Sequence, residues 1–273
     1  NSAIIDNTAN INANGGGINA SGESSSLGGV ITLTNVTLSG NSAGGGAGLA
    51  NELGSTAVLT NVTVSENSGN NNGGGLSNSS GGTVSVGNSI IFGNNAPLGA
   101  DCDGTITTAG NNITTCSLEG DGDGDIDSDP LLQPLALNSG DTPNFALGTG
   151  SPAIDSGSNA ICPATDQRGN LRPVGGTCDI GAYEAGIGFF VSDATVTEGD
   201  AGNTPMSFII SRSFITDTTY TVDCATTAGP ALAGLDYTAI SDTLEFLPAT
   251  MTQTVTVNVV GDTLDEFDET FSL

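Results

Sequence analysis

The chain has 273 residues, with 30 acidic side chains against three arginines, no lysine and no histidine, for a net charge of −27. Phosphate backbones and anionic membranes are bound through Lys and Arg, so nucleic acid and acidic lipid surfaces are excluded as natural partners, while divalent cations suit the charge. The 41 glycines and abundant Asn, Ser and Thr favour turns and strands; no long segment carries the helical apolar period, and no run approaches the ~18 apolar residues of a membrane span.

Aligning the asparagines exposes a repeat. Asn35, Asn61 and Asn88 are 26 and 27 residues apart, and Asn41, Asn67 and Asn94 follow at the same spacings. Asn1 and Asn7 begin the series one longer interval earlier. Between them lie the β-prone runs SAIID, VTLSG, VTVSE and SIIFG, with Ile4, Leu38, Val64 and Ile91 in register to stack inside. Gly-rich turns (Gly15–Gly17, Gly44–Gly46, Gly73–Gly75) recur ahead of apolar residues. This period is too short for a propeller blade and lacks solenoid helices, so one coil of a parallel β-helix per period is expected, each advancing by roughly 4.8 Å. Asn7, Asn41, Asn67 and Asn94 are read as a structural ladder of stacked corners, since Asn tolerates left-handed backbone angles and hydrogen-bonds to the next coil. NVT at Asn35 and Asn61 also matches a glycosylation sequon, a match the repeat generates by itself.

These NSxxxxN runs and GGG[IL] turns resemble the β-helical repeats of bacterial surface proteins in the polymorphic outer-membrane and pectin-lyase-like group. Further on, Ser151-Pro152-Ala153-Ile154-Asp155, Asp166-Gln167-Arg168-Gly169 and Cys178-Asp179-Ile180-Gly181-Ala182-Tyr183-Glu184, with Asp129-Pro130-Leu131-Leu132 upstream, resemble the segment that ends bacterial choice-of-anchor β-helix proteins. The resemblance implies a secreted or cell-surface protein. The segment is expected to cover the open end of the coil stack, whose backbone groups are otherwise unpaired. Of the five cysteines, local pairing joins Cys102 to Cys116 and Cys162 to Cys178, although other connections satisfy the sequence; paired cysteines fit an oxidising, extracellular setting. Arg168 is read as an ion-pair partner for Asp155, Asp166 or Asp179, a scarce counter-charge in an acidic chain. Asp121, Asp123, Asp125, Asp127 and Asp129 alternate in EGDGDGDIDSD. Alternating carboxylates in a glycine loop suit Ca²⁺; a solvated acidic loop is the other reading.

After about Gly186 glycine thins. FFVSDATVTE, MSFIISR, TYTVDCAT, DTLEFL and TVTVNVV read as successive strands of a sandwich. The turn Gly234-Leu235-Asp236-Tyr237, the run LEFLPATMTQTVTVNVVGD and the ending Asp265-Glu266-Phe267-Asp268-Glu269-Thr270-Phe271 resemble a Calx-β domain, an immunoglobulin-like sandwich. The resemblance implies calcium ligands at Glu198, Asp236, Asp262, Glu266 and Glu269, although Gly261 stands where calcium-binding members often carry another Asp. The sandwich is expected to lack its last one or two strands, leaving an edge for further domains of the same protein or for a second copy. Cys224 is expected to be a free thiol. With Asn rather than Met at position 1, the chain reads as a mature product or an excerpt.

The predicted fold class is all-β: a right-handed parallel β-helix over residues 1–185 (repeats 1–100, closing segment 101–185), then an immunoglobulin-like Calx-β sandwich over 186–273. The expected function is a non-catalytic structural or adhesive module, calcium-stiffened, of a bacterial surface protein or extracellular filament. A β-helix lyase would need a basic group that the repeats lack. A β-helix glycoside hydrolase needs two carboxylates ~6.5–9.5 Å apart, and Asp6, Glu23, Glu52 and Glu66 fall in different coils. A carbohydrate-binding surface would want exposed aromatics, yet there is no Trp and all three Tyr follow the repeats.

Overall fold

A computed structural model describes residues 1–22, 28–120, 122–212, 219–264 and 267–273. Among these residues every regular element is a strand. The chain divides into two compact units, Asn1–Gly186 and Ile187–Leu273.

The first unit is a stack of parallel strands. Ser2–Ile5, Val30–Ser39, Thr56–Ser65, Thr83–Gly87, Ile106–Thr108 and Leu118–Glu119 pair in that order. Ile18–Ser21, Leu49–Glu52, Leu76–Asn78 and Cys102–Asp103 form a second sheet, and Ser42–Gly45 pairs with Ser68–Asn72. Each strand lies parallel to its counterpart one repeat later, so Ile4 aligns with Leu38, Leu38 with Val64, and Val64 with Ile91. Leu38, Val64 and Ile91 are fully buried, in one core with Leu49, Leu59, Leu76, Val84 and Ile106. Each such aliphatic side chain contributes about 1.5–3 kcal/mol by leaving water.

The two long strands each contain a corner. Asn35 and Asn61 take φ of 54° and 52°, and the equivalent Asn88 and Asn111 take 48° and 57°. This is the left-handed region, which Asn tolerates better than most residues. Before the corner, exposure alternates as a half-buried strand should; after it, Val36–Ser39 and Val62–Ser65 are buried on both faces. A second layer is responsible. Residues 151–185 lie along the outer side of these strands, bonded to one turn after another. Asn35 Nδ2 donates to the Thr165 carbonyl at 2.5 Å and Thr37 Oγ1 to Gln167 Oε1 at 2.6 Å. Asn61 Nδ2 donates to the Asp179 carbonyl at 3.0 Å, and the Ala182 N–H to Thr63 Oγ1 at 3.0 Å. Asn88 Nδ2 donates to the Ser158 carbonyl at 3.0 Å, and Asn111 Nδ2 to the Ser156 carbonyl at 2.9 Å. Ile90 and Ile113, facing outward, pack with Ala153 and Ile180 into a separate small core.

The expected end cover is therefore corrected: this segment is a strap along the flank. The reason is polar as well as apolar, because the corner amides point sideways and need buried acceptors. The sequons at Asn35 and Asn61 are these corners, 3% and 0% exposed.

In the second unit, Phe189–Val191, Gly202–Arg212 and Thr252–Gly261 form an antiparallel sheet. Tyr220–Ala225 pairs with Ser241–Phe246, and Thr227–Ala228 with Phe271–Ser272. Alternation sends Phe208 and Ile210 inward from one strand and Val255 and Val257 from its neighbour. Tyr237 stacks on Phe271 with ring centroids 4.2 Å apart, and Phe189 meets Phe246 at 5.0 Å. Cys224 is a half-buried free thiol whose pKa is raised, chiefly by burial.

Candidate functional site

The polar groups of the first unit concentrate in two places, the ladders inside the stack and the strap. In the main ladder Asn7 donates from its backbone N–H and Nδ2 to Asn41 Oδ1, at 3.1 and 2.9 Å. Asn41 does the same to Asn67 Oδ1, at 3.0 and 2.9 Å, and Asn67 to Asn94 Oδ1, at 3.1 and 2.9 Å. Asn94 then donates twice, both at 2.9 Å, to Asp101 Oδ1. Room for the amides comes from glycine: a Cβ on Gly75 would stand 2.8 Å from Asn94 Nδ2 and 2.6 Å from the Asp101 carbonyl. The four predicted rungs are thus present. The corner asparagines take the left-handed angles, while the rung asparagines make the paired backbone and side-chain bonds from coil to coil. Asp101 is a fifth rung that spacing alone does not reveal. A carboxylate accepts and cannot donate, so it suits the last position; its Oδ2 accepts from Thr115 Oγ1 at 2.6 Å.

A parallel column runs beside it. Val62 N–H donates to Ser89 Oγ, Ser89 N–H to Asn112 Oδ1, and Asn112 N–H and Nδ2 to Asp125 Oδ1 at 2.8 and 2.9 Å. Ile126, next to Asp125, bridges in parallel to Ile113. The aspartate run is accordingly drawn into the stack as a short further turn. Asp129 Oδ1 accepts from the Leu131 N–H at 2.8 Å, closing its own turn. Asp123, Asp125, Asp127 and Asp129 are all exposed, and Asp121 lies outside the described residues.

A third column is incomplete. Asn51 Nδ2 donates to Asn78 Oδ1 at 3.0 Å and Asn78 Nδ2 to the Thr105 carbonyl at 2.6 Å. Asn51 Oδ1 is buried with no partner among the described residues, and the register places Ala20 in the turn before it. Ala20→Asn is therefore expected to add a rung and stabilise the first unit by about 1 kcal/mol, read as a rise of about 2–4 °C in its melting transition.

Two disulfides staple the unit. Cys102–Cys116 spans a Cα separation of 5.5 Å and Cys162–Cys178 one of 6.2 Å, the local pairing expected. Each closes a short loop, for about 3 kcal/mol by chain entropy. Inside the strap, Arg168 Nη2 meets Asp166 Oδ2 at 2.6 Å and its guanidinium lies 3.6 Å from the Tyr183 ring centroid. Of the three candidate partners for Arg168, Asp166 is the one it pairs with. Arg172 Nη1 meets Glu184 Oε2 at 3.0 Å, both side chains wholly buried, and its fork also donates to the carbonyls of Asp179 and Gly181. Glu184 further accepts the N–H groups of Val174 and Asp179, at 2.6 and 2.9 Å. Asp179 accepts from the N–H groups of Asp155, at 2.8 Å, and Ala185. Burial raises the Asp179 carboxyl to about 7, reinforced by the nearby Glu184 charge; burial also raises Glu184 and lowers Arg172.

In the second unit two of the calcium candidates are occupied with turns. Asp236 Oδ2 accepts from the Leu232 N–H at 2.6 Å, and Asp262 Oδ1 from the Leu264 N–H at 2.7 Å. Glu198 is half-buried, Glu269 is exposed, and Glu266 lies outside the described residues. Any Cβ on Gly261 would collide with the Gly199 carbonyl, which accounts for glycine where an Asp was looked for. Among the described residues no group of three or more acidic, Cys or His side chains converges as a metal site. The expected calcium ligands Asp121–Asp129 and those around Asp236 are thus not gathered into a cluster among the described residues, with Asp121 and Glu266 outside them.

Residues 183–273 match the Calx-beta domain family, in agreement with the strand content of the second unit. No curated protein and no solved structure matches the chain. Similarity thus places the second unit among Calx-beta domains and leaves the first to be read from its own geometry.

Proposed function

We propose that the chain is a non-catalytic structural segment of an extracellular bacterial surface protein or filament. Residues 1–186 form a right-handed parallel β-helix that acts as a rigid spacer, and the Calx-beta unit is a link to further domains or to a second copy through an open sheet edge. One observation carries this reading: the strap is hydrogen-bonded to four successive turns, at Asn35, Asn61, Asn88 and Asn111, so the turns cannot peel or shear independently. The acidic groups that would be sought for chemistry, Asp101, Asp125, Asp166 and Glu184, are engaged as acceptors or ion-pair partners. Among the described residues no helix is long and apolar enough to cross a membrane.

Negative-stain electron microscopy of the protein, with calcium and with chelator, tests the proposal. Straight rods or end-to-end filaments are expected. Loss of filaments on chelation would place calcium at the joints between copies. Flexible or collapsed particles in both conditions would overturn the spacer reading, as would polysaccharide hydrolysis abolished by loss of one carboxylate.

A further inference from the structure

The strap encloses five charged side chains with unequal signs. Asp166, Asp179 and Glu184 are 0%, 1% and 1% exposed, and they share their enclosure with only two guanidiniums, Arg168 and Arg172. Asp166 takes Arg168 and Glu184 takes Arg172 as ion-pair partners. Asp179 has neither, and is held by the N–H groups of Asp155 and Ala185. Burial penalises this carboxylate more than the two N–H donors favour it, and Glu184, whose Oε2 accepts the Asp179 N–H, adds a like charge. The strand residues bonded to this part of the strap, Asn61 and Thr63, carry no ionisable group.

We propose that the strap is a proton-dependent latch: closing it over the stack requires the odd carboxyl group at Asp179 to hold a proton, so it grips the coils more tightly in mildly acidic than in neutral surroundings. The direction follows from linkage. Asp179 titrates near 7 when enclosed, against 3.8 for an ordinary aspartate. The stabilisation is complete below about pH 4, declines as pH rises between the two values, and is gone above about 7. Across that window opening releases one proton, so strap opening rises up to about tenfold per pH unit. Such a latch would stiffen a surface spacer on acidification and let its flank breathe at neutral pH. It depends on the strap alone and not on what the spacer connects.

Hydrogen exchange of the intact protein between pH 5 and 8, corrected for the intrinsic rate, reads the latch directly. The N–H groups of Gly181 and Ala182, which bond to the stack, report strap opening, and those of Leu49 and Leu76, inside the stack, serve as reference. Strap opening relative to the stack is expected to rise about tenfold per unit from pH 5 to near 7 and then level off. Asp179→Asn is expected to remove that slope. A strap whose relative exchange does not change with pH, or an Asp179→Asn protein with the same slope, would overturn the proposal. Should the variant fail to fold, carbon-detected titration of the Asp179 carboxyl in the unmodified protein decides it: a midpoint within a unit of 7 supports the latch, and one below 5 sinks it.

Discussion

Arg172→Met is expected to destabilise the first unit by about 3–5 kcal/mol, a loss set by what remains rather than by what is removed. The guanidinium is enclosed and serves four partners, Glu184, the carbonyls of Asp179 and Gly181, and Cys178 Sγ. Methionine fills most of the volume but leaves the Glu184 carboxylate buried beside Asp179 without a cation. Glu184 already titrates above its ordinary range, chiefly because it is buried, and Arg172 is one of the influences holding it down. Chemical denaturation followed by probes of the first unit measures the effect. The double substitution Arg172→Met with Glu184→Leu is expected to recover part of the loss, because a buried pair replaced by apolar groups can be nearly neutral, whereas half a pair cannot. If the single and double variants are equally unstable, the guanidinium acts mainly through its two carbonyl partners and not through charge.

The stack was legible because its evidence is periodic. Ile4, Leu38, Val64 and Ile91 recur at the repeat interval and land in one column, and Asn7, Asn41, Asn67 and Asn94 form the rungs their spacing suggested. The signal fails where the period fails. Asn94 reaches its next rung, Asp101, only seven residues away, and the second column closes over intervals of 23 and 13 residues. A shrinking coil moves acidic residues into positions that Asn held before, and one of the alternating aspartates, Asp125, is the end of a column. The strap was invisible for a different reason. Its contacts join residues as much as 130 positions apart, such as Thr37 with Gln167, and nothing in the local pattern says which side of the stack a segment covers. One sign was present: VTLS and VTVS carry polar residues at alternate positions, yet these are buried, and a buried polar column requires a partner layer.

The ladders have a polarity, and that polarity predicts an asymmetry among substitutions. Asn67 accepts two hydrogens from Asn41 and donates to the Leu38 carbonyl and to Asn94 Oδ1, all in a buried setting. Asn67→Ala strands the Asn41 N–H and the Leu38 carbonyl without water, at about 1–3 kcal/mol each, for a total of about 2–6 kcal/mol. Asn7→Ala, at the exposed first turn, is expected to cost less than about 1 kcal/mol, since water replaces what is lost. Exchanging amide for carboxylate separates polarity from size. Asn67→Asp keeps the acceptor for Asn41 but turns a second oxygen toward Asn94 Oδ1, placing acceptor against acceptor, and should be at least as damaging as alanine. Asp101→Asn keeps the acceptor for Asn94 and sets an amide against Thr115 Oγ1, a hydroxyl that can rotate from donor to acceptor. It should be mild. Thermal melts of the four variants rank them. A severe Asn67→Asp with a mild Asp101→Asn means that a carboxylate can finish a ladder and cannot stand within one, while equal effects would mean that the amides act chiefly as packing.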